Sequence, residues 1–177
     1  MIKKLAVSFP GGRGYEVPLL YFGSKYFENK GYEKLFINHP ASEKEGFEEI
    51  YGNARRMISG IDFKEYDDIV FLGKSIGTEV ACKLKEEYKI PASLVLFTPL
   101  KETLPYLSAS NDILLVAAGD RDRYLESNVL QEICISESIP CYIEPNVGHR
   151  MEVKGDLSRD LEIISNVLKR LSTGKGH

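Results

Sequence analysis

Residues 69–84 read Ile-Val-Phe-Leu-Gly-Lys-Ser-Ile-Gly-Thr-Glu-Val-Ala-Cys-Lys-Leu, and their reading decides the fold. Ile69 to Leu72 form a continuous apolar run, the pattern of a strand covered on both faces of a parallel sheet. Ile76, Val80, Leu84 and then Tyr88 recur at helical spacing. Between them stands Gly73-Lys74-Ser75-Ile76-Gly77, which is G-x-S-x-G in a strand–turn–helix context. A turn that sharp leaves no room for side chains two residues either side of the serine. It holds a hydroxyl proud of the sheet edge, at the N-terminus of a helix whose dipole favours developing negative charge. The same glycines could serve close packing alone, with Ser75 as a helix cap. A phosphate-binding loop, G-x-x-x-x-G-K-[ST], is ruled out: it needs glycine five residues before Gly73, where Asp68 stands, and Ile69 to Leu72 read as strand.

Outward from this stretch the alternation continues. Further short β-rich runs are Leu5 to Phe9, Leu35 to Asn38, Leu94 to Thr98, Ile113 to Ala117 and Ile139 to Ile143. One helical stripe is Phe47, Ile50, Tyr51, Ala54, Met57, Ile58 and Ile61, opened by Ser42 with Glu45 three residues on as a capping box. The last is Leu157, Leu161, Ile164, Leu168 and Leu171, with Asp156 as N-cap. Val17, Leu20, Tyr21 and Phe27 fit a helix in the first connection, and Val129 and Ile133 one after the fifth strand. Pro99 to Asn111 leaves room for a short helix at most. Strand alternating with helix predicts an α/β three-layer sandwich: a mostly parallel sheet of about six strands with helices on both faces. Residues 1–177 read as one domain, with a polar tail, 172–177, expected to fray.

Composition bounds the partners. The chain has 177 residues, 43% hydrophobic and 28% charged, and a net charge of −3, which gives no electrostatic reason to expect nucleic acid or an acidic membrane surface. No apolar run approaches the roughly 18 to 20 residues needed to span a bilayer. Met1 to Phe9 lacks the long apolar centre of an export signal, so the expected location is cytoplasmic. Cys82, Cys134 and Cys141 form no C-x-x-C pair and read as free thiols, not as a disulfide framework or zinc site.

In an open parallel sheet the functional residues gather beyond the carboxyl ends of the strands. After the fifth run comes Gly119-Asp120-Arg121-Asp122, where either acid could orient a histidine or merely cap a helix. After the sixth comes Gly148-His149; His39 and His177 suit such a role less well. After the first comes Phe9-Pro10-Gly11-Gly12-Arg13-Gly14-Tyr15, whose glycines free backbone N–H groups to face an anion. As a dinucleotide loop it is weak, because Val17 stands where G-x-G-x-x-G needs glycine.

Gly-rich loop, Gly73-Lys74-Ser75-Ile76-Gly77, acid and Gly148-His149, in that order, resemble the α/β-hydrolase fold superfamily over nearly the whole chain, Leu5 to about Leu171. The resemblance implies Ser75 as nucleophile, His149 as general base and Asp122 as the third member, since the family's acid commonly stands three residues after a glycine. Asp120 is the reserve. It also implies an oxyanion hole from the N–H groups of Ile76 and Gly12, with Arg13 as the other possible donor, and chemistry that needs no cofactor or metal. The chain is short for the family and begins at the strand that usually comes third. Pro10 stands where many members carry histidine. With no room for a lid domain, the site should be shallow and open.

The activity implied is cleavage of a small-molecule carboxylic ester or thioester, in an enzyme with no nucleic-acid or membrane partner. A non-catalytic binding protein of the same fold and a nucleotide binder are the competing classes. Arg13, Lys74, Arg121, Arg123 and Arg150 adjoin the motif residues. Together they would favour an anionic group, although such side chains ordinarily extend into solvent. Tyr15 and Tyr124 could line an apolar cleft. An exposed strand edge, at Leu5 to Phe9 or elsewhere, would offer a route to a homodimer.

Overall fold

Continuous apolar runs do become strands. The computed structural model describes residues 2–12, 17–38 and 46–173. The strands are β1 (Lys4–Phe9), β2 (Glu33–Phe36), β3 (Asp68–Lys74), β4 (Ser93–Phe97), β5 (Ile113–Gly119) and β6 (Cys141–Glu144). The helices are α1 (Pro18–Glu28), α2 (Phe47–Ile58), α3 (Ile76–Glu87), α4 (Ser127–Ser136) and α5 (Leu157–Thr173). Pro99 to Asn111 holds only two short 3₁₀ turns, Lys101–Tyr106 and Ala109–Asn111.

All six strands are parallel, in the order β2-β1-β3-β4-β5-β6. β1 therefore lies inside the sheet, paired with β2 on one side and β3 on the other, which removes the free edge expected at Leu5 to Phe9. The edges are β2 and β6. Polar Glu33 and Lys34 open β2 because an edge strand tolerates exposed side chains, so this strand starts and ends two residues before the apolar run that suggested it. β6 begins only after Pro140, which has no N–H to give the ladder.

Two apolar layers cover the sheet. On one face α2, α3 and α4 pack Ile50, Ala54, Ile58, Val80, Leu84 and Leu130 against the strands. On the other, α1 and α5 contribute Leu19, Leu20, Phe27, Ile163, Val167 and Leu171. On α1 the buried stripe runs one residue off the expected one, leaving Tyr21 exposed. Gly23 lets this helix sit close, since a Cβ there would stand 3.1 Å from both Leu72 and Phe97 side chains.

Two helix ends depart from expectation. α2 has Gly46 as N-cap, so Ser42 does not open it; Ser42 and Glu45 lie outside the described residues. On α5 the capping by Asp156 holds, its Oδ1 accepting the Arg159 N–H at 2.9 Å. The buried face, however, turns toward Ile163 and Val167 and leaves Leu157 and Leu161 exposed. Polar anchors set that rotation. Arg159 donates to buried Glu144 at 2.5 Å, and Asp160 Oδ1 accepts the Val153 N–H at 2.6 Å. α5 also runs through Thr173, taking in two residues expected in the tail, while 174–177 lie outside the described residues.

Among the described residues no helix is long and apolar enough to cross a membrane. All three thiols are free, and burial pushes that of Cys82 up to about 12. The topology places a crevice where the chain, having gone from β1 outward to β2, returns to the other side of β1 as β3. Helices α1 and α2 diverge to opposite faces there, and the loops after β1 and β3 are left side by side.

Candidate active site

Ser75 stands between the last residue of β3 and the first of α3, with φ 56° and ψ −127°. A non-glycine residue rarely adopts such a backbone, at a cost of about 1–3 kcal/mol. The surroundings hold it there. Ser75 N–H donates to Phe97 O at 3.0 Å, and Ser75 O accepts from Thr78 N–H at 2.9 Å and Thr78 Oγ1 at 2.7 Å. Thr78 is itself bonded to buried Thr103 in the loop after β4. Both glycines of the pentapeptide are sterically required. A Cβ at Gly73 would lie 2.6 Å from Thr78 Cα, and one at Gly77 only 2.1 Å from Phe9 O. The loop after β1 passes just as near, for a Cβ at Gly11 would come within 3.1 Å of Ser75 Cβ and Lys74 O.

The loops after β5 and β6 are joined by a similar contact. Gly119 lies so close to Val147 that a Cβ would stand 2.1 Å from its carbonyl oxygen, and Arg121 N–H donates to that same oxygen at 2.9 Å. This pairing carries Asp122 to His149. Asp122 Oδ2 is 2.7 Å from His149 Nδ1, and His149 Nε2 is 2.8 Å from Ser75 Oγ. An ionised carboxylate only accepts, so the Nδ1 proton lies toward Asp122 and Nε2 is left to accept the serine hydroxyl. The Asp122 side chain is 1% exposed and that of His149 16%. Asp122 Oδ1 accepts the Tyr124 N–H at 2.9 Å, while the Tyr124 ring meets the imidazole edge-on with centroids 4.6 Å apart. Asp120 is exposed and makes no hydrogen bond to His149 among the described residues.

These residues open into a cleft of about 780 Å³ whose lining includes Gly11, Gly12, Ser75, Leu100, Tyr124 and His149. Ile76 begins α3, where a backbone N–H has no intrahelical acceptor. Arg13, Tyr15, His39 and His177 lie outside the described residues. Of the cations expected to point to solvent, Arg121, Arg123 and Arg150 are exposed but line this cleft.

Lys74 departs furthest from expectation: it is 3% exposed. Its Nζ donates to Thr98 Oγ1 at 2.5 Å and to the His149 carbonyl at 2.8 Å, tying the histidine loop to the end of β3. The signal was its place inside a buried strand, which extends two residues past the apolar run. Burial brings its amine down to about 8, against the opposing pull of Asp122 and Glu152. Because the folded value lies below the unfolded one, the cost of burying the charge is full below pH 8. It is relieved as pH rises toward 10.5, where the unfolded chain alone still holds the proton. Urea unfolding from pH 7 to 10 should therefore show the stability difference between wild type and Lys74→Met shifting toward wild type by roughly 2–3 kcal/mol. A pH-independent difference would contradict this account.

The chain has the α/β-hydrolase fold: a parallel sheet, with Ser75 in the sharp turn after β3, Asp122 after β5 and His149 after β6. It is similar to an alpha-beta serine hydrolase homologue from Coxiella burnetii, at 13% identity and TM-score 0.69 over 97% of this chain and 87% of that one. It is also similar to a Xanthomonas campestris protein described as an α/β serine hydrolase without lid, at 11% identity and TM-score 0.68 over 98% and 82%. A Thermus thermophilus protein of known structure aligns at 17% identity and TM-score 0.58 over 97% and 90%. No family model and no curated protein sequence matches the chain.

Proposed function

We propose that this protein is a serine hydrolase that cleaves small carboxylic esters or thioesters. One observation carries the reading: the unbroken chain Ser75 Oγ, His149 Nε2, His149 Nδ1, Asp122 Oδ2, with links of 2.8 and 2.7 Å. His149 takes the Ser75 proton as the hydroxyl oxygen attacks the substrate carbonyl, and Asp122 holds the imidazole in the required tautomer and stabilises its cation. The tetrahedral oxyanion forms beside the Ile76 N–H at the start of α3 and the Gly12 N–H of the loop after β1. Collapse expels the alcohol or thiol, which takes the proton from His149 and leaves an acyl-Ser75 ester. Water activated by His149 then hydrolyses that ester. An open cleft favours small soluble substrates over buried lipid chains.

Labelling by a fluorophosphonate, which reacts with activated serines, tests the reading. Wild type should label stoichiometrically, and Ser75→Ala and His149→Ala should not. Folded wild type that stays unlabelled would move the reading to a non-catalytic binding protein; labelling that survives in Ser75→Ala would assign the wrong nucleophile.

A further inference from the structure

We propose that the substrate carries an anionic group, a carboxylate or phosphate, which Arg121, Arg123 and Arg150 receive at the mouth of the cleft. The inference deepens the hydrolase reading and rests on it for the identity of the reacting bond. Its basis is placement. Arg121 and Arg123 flank Asp122, and Arg150 follows His149, so the backbone that brings the acid to the histidine brings the guanidinium groups to the same opening. Asp122 turns inward and is buried, while its two neighbours turn out into the cleft lining.

None of the three takes part in an ion pair among the described residues. Arg121 donates to the neutral Asn146 Oδ1 at 2.6 Å. Arg123 donates to Tyr124 Oη at 2.7 Å and lies 4.8 Å from the centre of that ring. These neutral contacts orient Arg121 and Arg123 and leave their charge unneutralised. Arg159, by contrast, is paired with both Glu144 and Glu162. In the cleft lining the only carboxylate among the described residues is Glu152, against the three arginines and buried Lys74. A chain of net charge −3 thus concentrates positive charge at one opening.

A single exposed arginine is worth little, but several of one sign gathered at one cleft add their fields on what enters it. The planar guanidinium suits the two oxygens of a carboxylate or the face of a phosphate, and side chains already held lose less freedom on binding. Tyr124 links this cluster to the chemistry, its ring meeting both the His149 imidazole and the Arg123 guanidinium. An anion at Arg123 therefore lies one aromatic ring from the imidazole, within reach of a short acyl chain or a small alcohol group.

Matched esters test this. Monomethyl succinate and methyl butyrate differ by a carboxylate on the acyl side; 2-acetoxyethyl phosphate and 2-methoxyethyl acetate differ by a phosphate on the alcohol side. Titration of released acid gives kcat/KM for each. We expect at least one anionic member to be preferred by about tenfold or more, equivalent to about 1.4 kcal/mol. The pair that shows the preference identifies the anion. The ratio should fall toward 1 at high ionic strength and in the triple variant Arg121→Gln/Arg123→Gln/Arg150→Gln, and persist in Arg56→Gln on α2. Ratios near 1 for both pairs in wild type, or a preference that survives the triple variant, would overturn the proposal. Calorimetric binding of the same four esters to Ser75→Ala separates it from the hydrolase reading. Preferential binding of an anionic ester without turnover by wild type would uphold the anion site and sink the hydrolase, whereas turnover without preference would do the reverse.

Discussion

Ser75→Ala should lower kcat/KM for a short-chain ester by on the order of 10⁴- to 10⁶-fold and leave the protein at least as stable as wild type. In the proposed mechanism the loss follows from removing the attacking oxygen. His149 Nε2, 2.8 Å from Ser75 Oγ, would then face a methyl group. Asp122→Asn should cost on the order of 10⁴-fold for another reason: an amide in that place can turn a donor toward Nδ1 and select the wrong tautomer. Stability should move the other way, because Ser75 is held at φ 56° and ψ −127°. Ser75→Gly, free of the Cβ that makes this backbone unfavourable, should gain about 1–3 kcal/mol, a rise of several degrees in Tm. Ester turnover and thermal melts of the three variants check both halves. An Ser75→Ala protein within tenfold of wild type would remove Ser75 from the mechanism, and a Ser75→Gly protein that melts lower would contradict the strain.

Gly77→Ala should be among the most damaging small substitutions on stability. The added methyl would lie 2.1 Å from Phe9 O and 2.7 Å from Pro10 O, both backbone atoms. Phe9 cannot retreat without breaking β1 from β3, where it pairs with Gly73. α3 cannot rise without losing the buried contacts of Val80 and Leu84. We expect a loss on the order of 3–5 kcal/mol, against a total of about 5–15 for a typical domain. Gly12→Ala is the control, since nothing lies within 4 Å of its added methyl, and should melt close to wild type. Equal melting of the two variants would show that the elbow tolerates movement the geometry forbids.

Some of this molecule is legible from local pattern and some is not, and the boundary has a physical cause. Strands buried on both faces leave continuous apolar runs, so β1, β3, β4 and β5 stand where their residues suggest. β2 does not, because an edge strand tolerates exposed side chains such as those of Glu33 and Lys34. The rotation of α5 escaped periodicity. Leu157 and Leu161 match the spacing of a buried stripe, but Arg159 and Asp160 find partners on Glu144 and Val153 and turn the helix away from them. Lys74 read as a surface cation because nothing in its neighbours announces Thr98 and the His149 carbonyl as acceptors.

The sequence by itself determined the class of fold and the serine elbow, because apolar periodicity and a glycine two residues either side of Ser75 are local demands of backbone geometry. It also placed acids and a histidine after the fifth and sixth runs; the resemblance favoured Asp122, while the spacing itself left Asp120 and Asp122 open. That choice belongs to the tertiary structure. Both acids share one short turn, and only the close packing of Gly119 on Val147 turns Asp122 inward to His149 and leaves Asp120 in solvent. The burial of Lys74 and the gathering of three arginines at one opening were decided the same way. Each depends on which loops the parallel sheet sets side by side, a relation between residues far apart in the chain that no local spacing records.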